Sequence, residues 1–81
     1  MKKVLKILII DDDKIDAISI VRSISRSEIL AEIEIATSAK GGFEKLDSAS
    51  YDLIFLDYML PDSDGISILQ KIRSLGIITP V

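Results

Sequence analysis

One stretch limits what this chain can fold into more than any other: Tyr51 to Gly65, YDLIFLDYMLPDSDG. The apolar run Leu53-Ile54-Phe55-Leu56 ends at Asp57, Pro61 stands four residues on, and Asp62-Ser63-Asp64-Gly65 opens the pattern of a helix. A run this short, closed by turn residues, reads as a strand. A strand so uniformly apolar belongs inside a sheet covered on both faces. Asp57 is thereby delivered to the rim of that sheet and is the first candidate for chemistry.

The N-terminal segment repeats the device. Val4 to Ile10, VLKILII, is broken only by Lys6 and ends at Asp11-Asp12-Asp13. From Asp13 to Ser27, the residues Ile15, Ile18, Val21 or Arg22, and Ile24 fall at helical spacing behind an aspartate-rich first turn, which the helix dipole favours. Ala31 to Thr37 alternates glutamate with isoleucine, as an edge strand with one wet face does. Ser38 can cap a helix running to about Ser48, with Ala39, Phe43 and Leu46 inward. Gly41 and Gly42 weaken that helix by roughly 1 kcal/mol each relative to alanine. They are read as marks of close packing, since no GxGxxG or Walker pattern is present. Asp64 can cap a further helix with Ile66, Leu69 and Ile72 inward, stopped at Leu75-Gly76 with Gly76 as the C′ residue. Ile77 to Val81 then begins another apolar segment.

Strand, helix, strand, helix, strand, helix predicts an α/β domain with a parallel sheet and right-handed crossovers. The 81 residues make one domain, and a chain this short buries only roughly 60% of its unfolded surface. A hydrophobic content of 48% with 28% charged residues is globular composition. The net charge of −3 argues against direct contact with nucleic acid. Neither cysteine nor histidine occurs, which excludes disulfides, thiolate metal sites and imidazole chemistry. Any metal is then held by oxygen, which favours magnesium, calcium or manganese. The start, Met1-Lys2-Lys3-VLKILII, is not read as a signal peptide, because Lys6 interrupts it and aspartates follow at once. No run approaches the ~18 apolar residues of a membrane span. A cytoplasmic protein is expected.

In such sheets ligands bind beyond the carboxyl ends of the strands, where strand order reverses. If the first and third strands are neighbours, Asp11, Asp12 and Asp57 converge there. Like charges at close quarters raise one another's pKa. A divalent cation removes the conflict, and magnesium suits a site of a few carboxylates and waters. Each acid also has a blander reading: one of Asp11, Asp12 and Asp13 caps the first helix, and Asp57 alone could be a turn residue. The combination, with Pro61 and Gly65 at fixed offsets, is harder to explain that way.

With these residues in view, IIDDD and DLIFLDYMLPDSDG resemble the receiver domain of two-component response regulators, over the whole chain from Lys6 to the closing TPV. The spacing of Asp57, Pro61 and Gly65 is its most specific part. The resemblance implies a flavodoxin-like, doubly wound parallel sheet, incomplete after the third helix and the start of a fourth strand, over residues 1–81. It implies Asp57 as phosphoacceptor and Asp11 and Asp12 as the acidic pair. Magnesium would then be held by Asp12, Asp57, the backbone carbonyl of Met59 and, through water, Asp11. It also implies a sensor histidine kinase or phosphotransfer domain as partner, with no independent enzymatic turnover.

The family's phosphate-binding Ser or Thr and its Lys fall beyond Val81. Without a fourth strand the third would present a bare apolar edge, so self-association is expected there. Two other functions compete: a receiver-like interaction module that is not phosphorylated, and a haloacid-dehalogenase-like phosphohydrolase. Asp11-x-Asp13-x-Ile15 approaches the latter's DxDx(T/V) signature, but Ile15 fits poorly. Asp62-x-Asp64-Gly65 fails as a calcium loop, because Leu60 and Lys71 stand where acids are required.

Overall fold

The computed structural model describes residues 3–57 and 60–81. Leu5–Ile10 forms β1, Lys14–Ser25 α1, Ala31–Ala36 β2, Ala39–Ser48 α2, Leu53–Leu56 β3 and Gly65–Ser74 α3. The strands make one parallel sheet in the order β2-β1-β3. The parallel α/β sheet is the one that the alternation predicts, and its order is the flavodoxin-like one that the resemblance implies.

The centre of the sheet is β1. Ile7, Leu8, Ile9 and Ile10 are each no more than 2% exposed. Side chains alternate along a strand, so this one run feeds two cores. Leu8 and Ile10 pack with Ala36, Ala39, Ile54, Ile68 and Ile72, under α2 and α3. Ile7 and Ile9 pack with Ala17, under α1, with Ile20, Val21 and Ile24 around them. Burial of each such side chain is worth about 1.5–3 kcal/mol, so β1 carries a large share of the stability of a small domain.

Two helix faces differ from the sequence expectation. On α1, Ile15 is 75% exposed and Ile18 47% exposed. The inward residues are Ala17, Ile20, Val21 and Ile24, the same helical spacing turned around the axis. Ala17 is what decides this: with only a methyl group, it lets the helix lie close against Ile7 and Ile9. On α3, Ile66 points outward and the buried residues are Gly65, Ile68 and Ile72.

The paired glycines follow the packing reading at Gly42. A Cβ there would lie 2.7 Å from Ile10 Cδ1 and 3.1 Å from Cγ1, so α2 rests directly on the end of β1. The third helix ends in a Schellman turn. Gly76 has φ +80, its N–H donates to Arg73 O at 3.0 Å, and Ile77 N–H donates to Ile72 O at 3.3 Å. Beyond it the chain returns to the sheet. Ile54 N–H donates to Pro80 O at 2.9 Å, and Thr79 Oγ1 donates to Tyr51 O at 3.1 Å. The outer edge of β3 is therefore met by the incoming segment and is not bare at Ile54.

The opposite end of the sheet is polar. Asp52 accepts from Lys6 N–H at 2.9 Å and from Lys3 Nζ at 3.4 Å. Buried Tyr51 donates its hydroxyl to Glu34 on β2, and Lys6 Nζ lies 5.3 Å from the centre of its ring. Burial, helped by the Glu34 carboxylate, pushes the Tyr51 hydroxyl up to about 12. The Tyr51 hydrogen bond in turn holds Glu34 below its ordinary value.

Two predictions follow from these contacts. Gly42→Val should lower stability by about 1–3 kcal/mol through overpacking against Ile10; a urea midpoint equal to or above the wild type would contradict this. The Tyr51–Glu34 tie should also make stability depend on pH. Tyrosine titrates near ~10 when unfolded, so the contribution of Tyr51 is fully present below that pH and is lost as pH rises through about 12. Glu34, with a lowered pKa, contributes above its unfolded value and loses that contribution in acid. Melting temperatures of wild type and Tyr51→Phe should differ most near neutral pH and converge at both extremes.

Candidate functional site

The carboxyl ends of β1 and β3 are side by side because Ile10 pairs with Leu56 in register. The next residue on each strand is an aspartate. Asp57 N–H donates to Ile10 O at 2.9 Å, and Asp11 N–H donates to Ala36 O at 2.9 Å. Both acids are thus fixed by backbone bonds that continue the sheet, and Asp12 follows at the turn into α1. One carboxylate oxygen from each of Asp11, Asp12 and Asp57 lies within 4.8 Å of the other two.

The third acid of the N-terminal run has a separate task. Asp13 is the N-cap of α1, accepting from Ile15 N–H at 2.9 Å and Asp16 N–H at 3.4 Å. It is therefore occupied as a cap and is not part of the cluster. Asp13 in turn donates its own N–H to Asp11 Oδ1 at 2.9 Å, which orients that carboxylate. Asp11 is only 8% exposed. Burial pushes its carboxyl up, and the charges of Asp57, Asp16 and Asp13 add to the rise, against the pull of the Asp13 amide.

These observations bear on what the cluster can hold. Three carboxylates converge, and burial, with the charges of its neighbours, raises one of them. Its donors are all oxygen, with neither cysteine nor histidine in the chain. The set fits a hard divalent cation such as magnesium. Met59, whose backbone carbonyl the family resemblance places among the ligands, lies outside the described residues.

The loop after the cluster is anchored by two further aspartates. Asp64 caps α3 as expected, accepting from Ser67 N–H at 2.8 Å. Asp62 is the residue that sequence reasoning missed. Its two oxygens accept from Ala39 N–H at 2.9 Å and Lys40 N–H at 3.0 Å, at the start of α2. These two amides hold its carboxyl below the ordinary range. No local pattern reports this bond, because its partners are 22 and 23 residues away.

Comparison with known proteins decides the family. The model of the response regulator receiver domain matches residues 7–81. The chain belongs to that family. The receiver is similar to the transcriptional regulatory protein DltR of Streptococcus agalactiae, at 32% identity over 81 residues, covering 95% of this chain and 34% of that protein. It is similar to CiaR of Streptococcus pneumoniae at 34% identity over 77 residues, covering 95% of this chain and 33% of that protein. The chain thus spans about a third of the length of these curated relatives. Among solved structures, the receiver domain of the Francisella response regulator 1452 superposes with a TM-score of 0.85 at 34% identity, over 95% of this chain and 62% of that one. The MaeR response regulator bound to beryllium trifluoride superposes at 0.87 over 95% of this chain and 63% of that one. At 24% identity the latter likeness is one of fold. Among the described residues no helix is long and apolar enough to cross a membrane.

The raised Asp11 predicts a stability effect in the metal-free protein. Asp11→Asn keeps an acceptor for Asp13 N–H and removes a repelled charge. It should raise the melting temperature in the presence of a chelator. A lower melting temperature would contradict a charge disfavoured by burial and by its acidic neighbours.

Proposed function

We propose that this receiver is phosphorylated on Asp57, with Asp12, Asp57, the Met59 carbonyl and, through water, Asp11 holding magnesium. The observation that carries this reading is the gathering of Asp11, Asp12 and Asp57 at the strand ends, with oxygens within 4.8 Å. Membership of the receiver family supports it.

The donor is a phosphohistidine on a sensor kinase or phosphotransfer domain. A carboxylate oxygen of Asp57 attacks phosphorus, the P–N bond to the imidazole breaks, and its electron pair returns to the ring nitrogen. The product is an acyl phosphate. Transfer of this kind needs positioning and charge neutralisation more than covalent assistance. When bound, magnesium supplies the positive charge that the carboxylates and the phosphoryl oxygens share. The chain supplies the rest. The bond from Asp57 N–H to Ile10 O fixes the nucleophile at the rim, and the bond from Asp13 N–H to Asp11 keeps that carboxylate turned. The phosphoryl group then adds nearly two negative charges to a site already acidic, which can bias a two-state surface.

Acetyl phosphate with magnesium tests the acceptor directly. Wild type should gain one phosphoryl group, seen as a mass increase lost on alkaline hydroxylamine treatment, and Asp57→Asn should gain none. Labelling retained in Asp57→Asn but lost in Asp11→Asn would reassign the nucleophile, as in a phosphohydrolase. A wild type that takes up neither phosphate nor beryllofluoride would favour an unphosphorylated interaction module.

A further inference from the structure

The turn from β1 into α1 spends its third aspartate differently from the other two. Asp13 has extended backbone and caps α1. Its side chain accepts from Ile15 N–H and Asp16 N–H, and its carbonyl accepts from Ala17 N–H at 3.1 Å. Ala17 is buried against the sheet with Ile7 and Ile9. The acceptors of Asp13 are thus tied to a first helical turn that is itself seated on β1. Its N–H is left over. In a capping box the side chain at the third helical position reaches back and takes the N–H of the cap. Here that position holds Asp16, and the N–H goes instead to Asp11 Oδ1 at 2.9 Å.

This choice joins the helix start to the acidic cluster. Asp11 is held on its other side by its own N–H, which donates to Ala36 O at the end of β2. The turn from Asp11 to Asp13 is therefore anchored to the sheet at one end and to α1 at the other. Asp12, whose carboxylate joins the cluster, stands between the two anchors. A carboxylate turned by a fixed amide, and a neighbour carried on a short bridge held at both ends, have few conformations to lose when a ligand binds.

We propose that Asp13 is a positioning residue for the acidic cluster: by capping α1 it fixes its own backbone, and so aims its N–H at Asp11 and holds the turn that carries Asp12. Its side chain is occupied by the helix and acts through Asp11 and Asp12, not on the metal. The proposal rests on the magnesium reading above. Outer residues that orient metal ligands commonly alter affinity 10–100-fold when removed.

The test compares Asp13→Ala, Asp13→Gly, Asp13→Asn and Ser38→Ala in the full chain. Magnesium chloride is titrated into each unphosphorylated protein by calorimetry. Melting temperatures and hydrogen exchange of the residue-13 amide are recorded with chelator. Asp13→Ala should weaken magnesium binding roughly tenfold and speed exchange of that amide. Asp13→Gly removes the same oxygen at little cost to the helix, which guards against failure to fold, and should weaken binding as much. Asp13→Asn keeps the capping oxygen and loses the charge, so it should recover most of the affinity and the slow exchange. Ser38→Ala removes the cap of α2 and should lower the melting temperature while leaving affinity within about twofold of wild type. Affinity unchanged in Asp13→Ala and Asp13→Gly, lost as far in Asp13→Asn, or lost equally in Ser38→Ala overturns the proposal alone; so does exchange at residue 13 that is the same in all variants. Failure of the wild type to bind magnesium, or equal binding by Asp57→Asn, overturns the magnesium reading and this proposal with it.

Discussion

The parallel register between β1 and β3 is the constraint on which everything else depends. Ile10 opposite Leu56 is what sets Asp11 beside Asp57. A slip of one residue would turn every β3 side chain to the other face. Ile54 would leave the α2–α3 core, and Asp57 would lose its bond to Ile10. The register is specified twice. The alternation along β1 fills a core on each side of the sheet, and Asp52 grips Lys6 at the other end through both its side chain and its backbone. A strand pinned at both ends can tolerate an acidic cluster at one of them.

That cluster is an electrostatic burden on a small fold. Asp11 is buried and its charge is disfavoured by its surroundings, whereas Asp62 and Asp64, each at a helix start, are favoured by the amides they accept from. Similar side chains within a few residues therefore do opposite things. Those at helix starts hold the scaffold, and Asp11 at a strand end carries a charge that its burial disfavours. A domain stable by only a few kcal/mol can carry such a site because β1 and its two cores offset the repulsion.

Most of the architecture was legible in the residues, and the reasons are local. Apolar runs that stop abruptly at aspartate announce both the buried strands and the acids at their ends, so Asp11, Asp12 and Asp57 could be named before any coordinates. Caps at Ser38 and Asp64 and the stop at Gly76 are also short-range signals. The inward faces of α1 and α3 were less legible, because isoleucines occur all round both helices. Ala17 and Gly65 decide which side approaches the sheet, and small residues carry little weight in a hydrophobic pattern. Asp62 could not be read at all as a tie to α2, since its partners become neighbours only after the sheet has formed.

Arg73 adds a consequence for the order of assembly. Its Nη1 donates to the carbonyls of Ile77 at 3.0 Å and Thr79 at 2.8 Å, on a chain already reversed by the Schellman turn at Gly76. Every partner in that clamp lies within six residues, so it can form as soon as α3 does. The segment that meets Ile54 is then aimed at the sheet before it arrives. Loop closure between β3 and Pro80 becomes the docking of a preformed helix and turn, not the search of a free chain. Parallel pairing is ordinarily slow because its contacts are distant in sequence, and a local clasp of this kind shortens the distance that diffusion must cover.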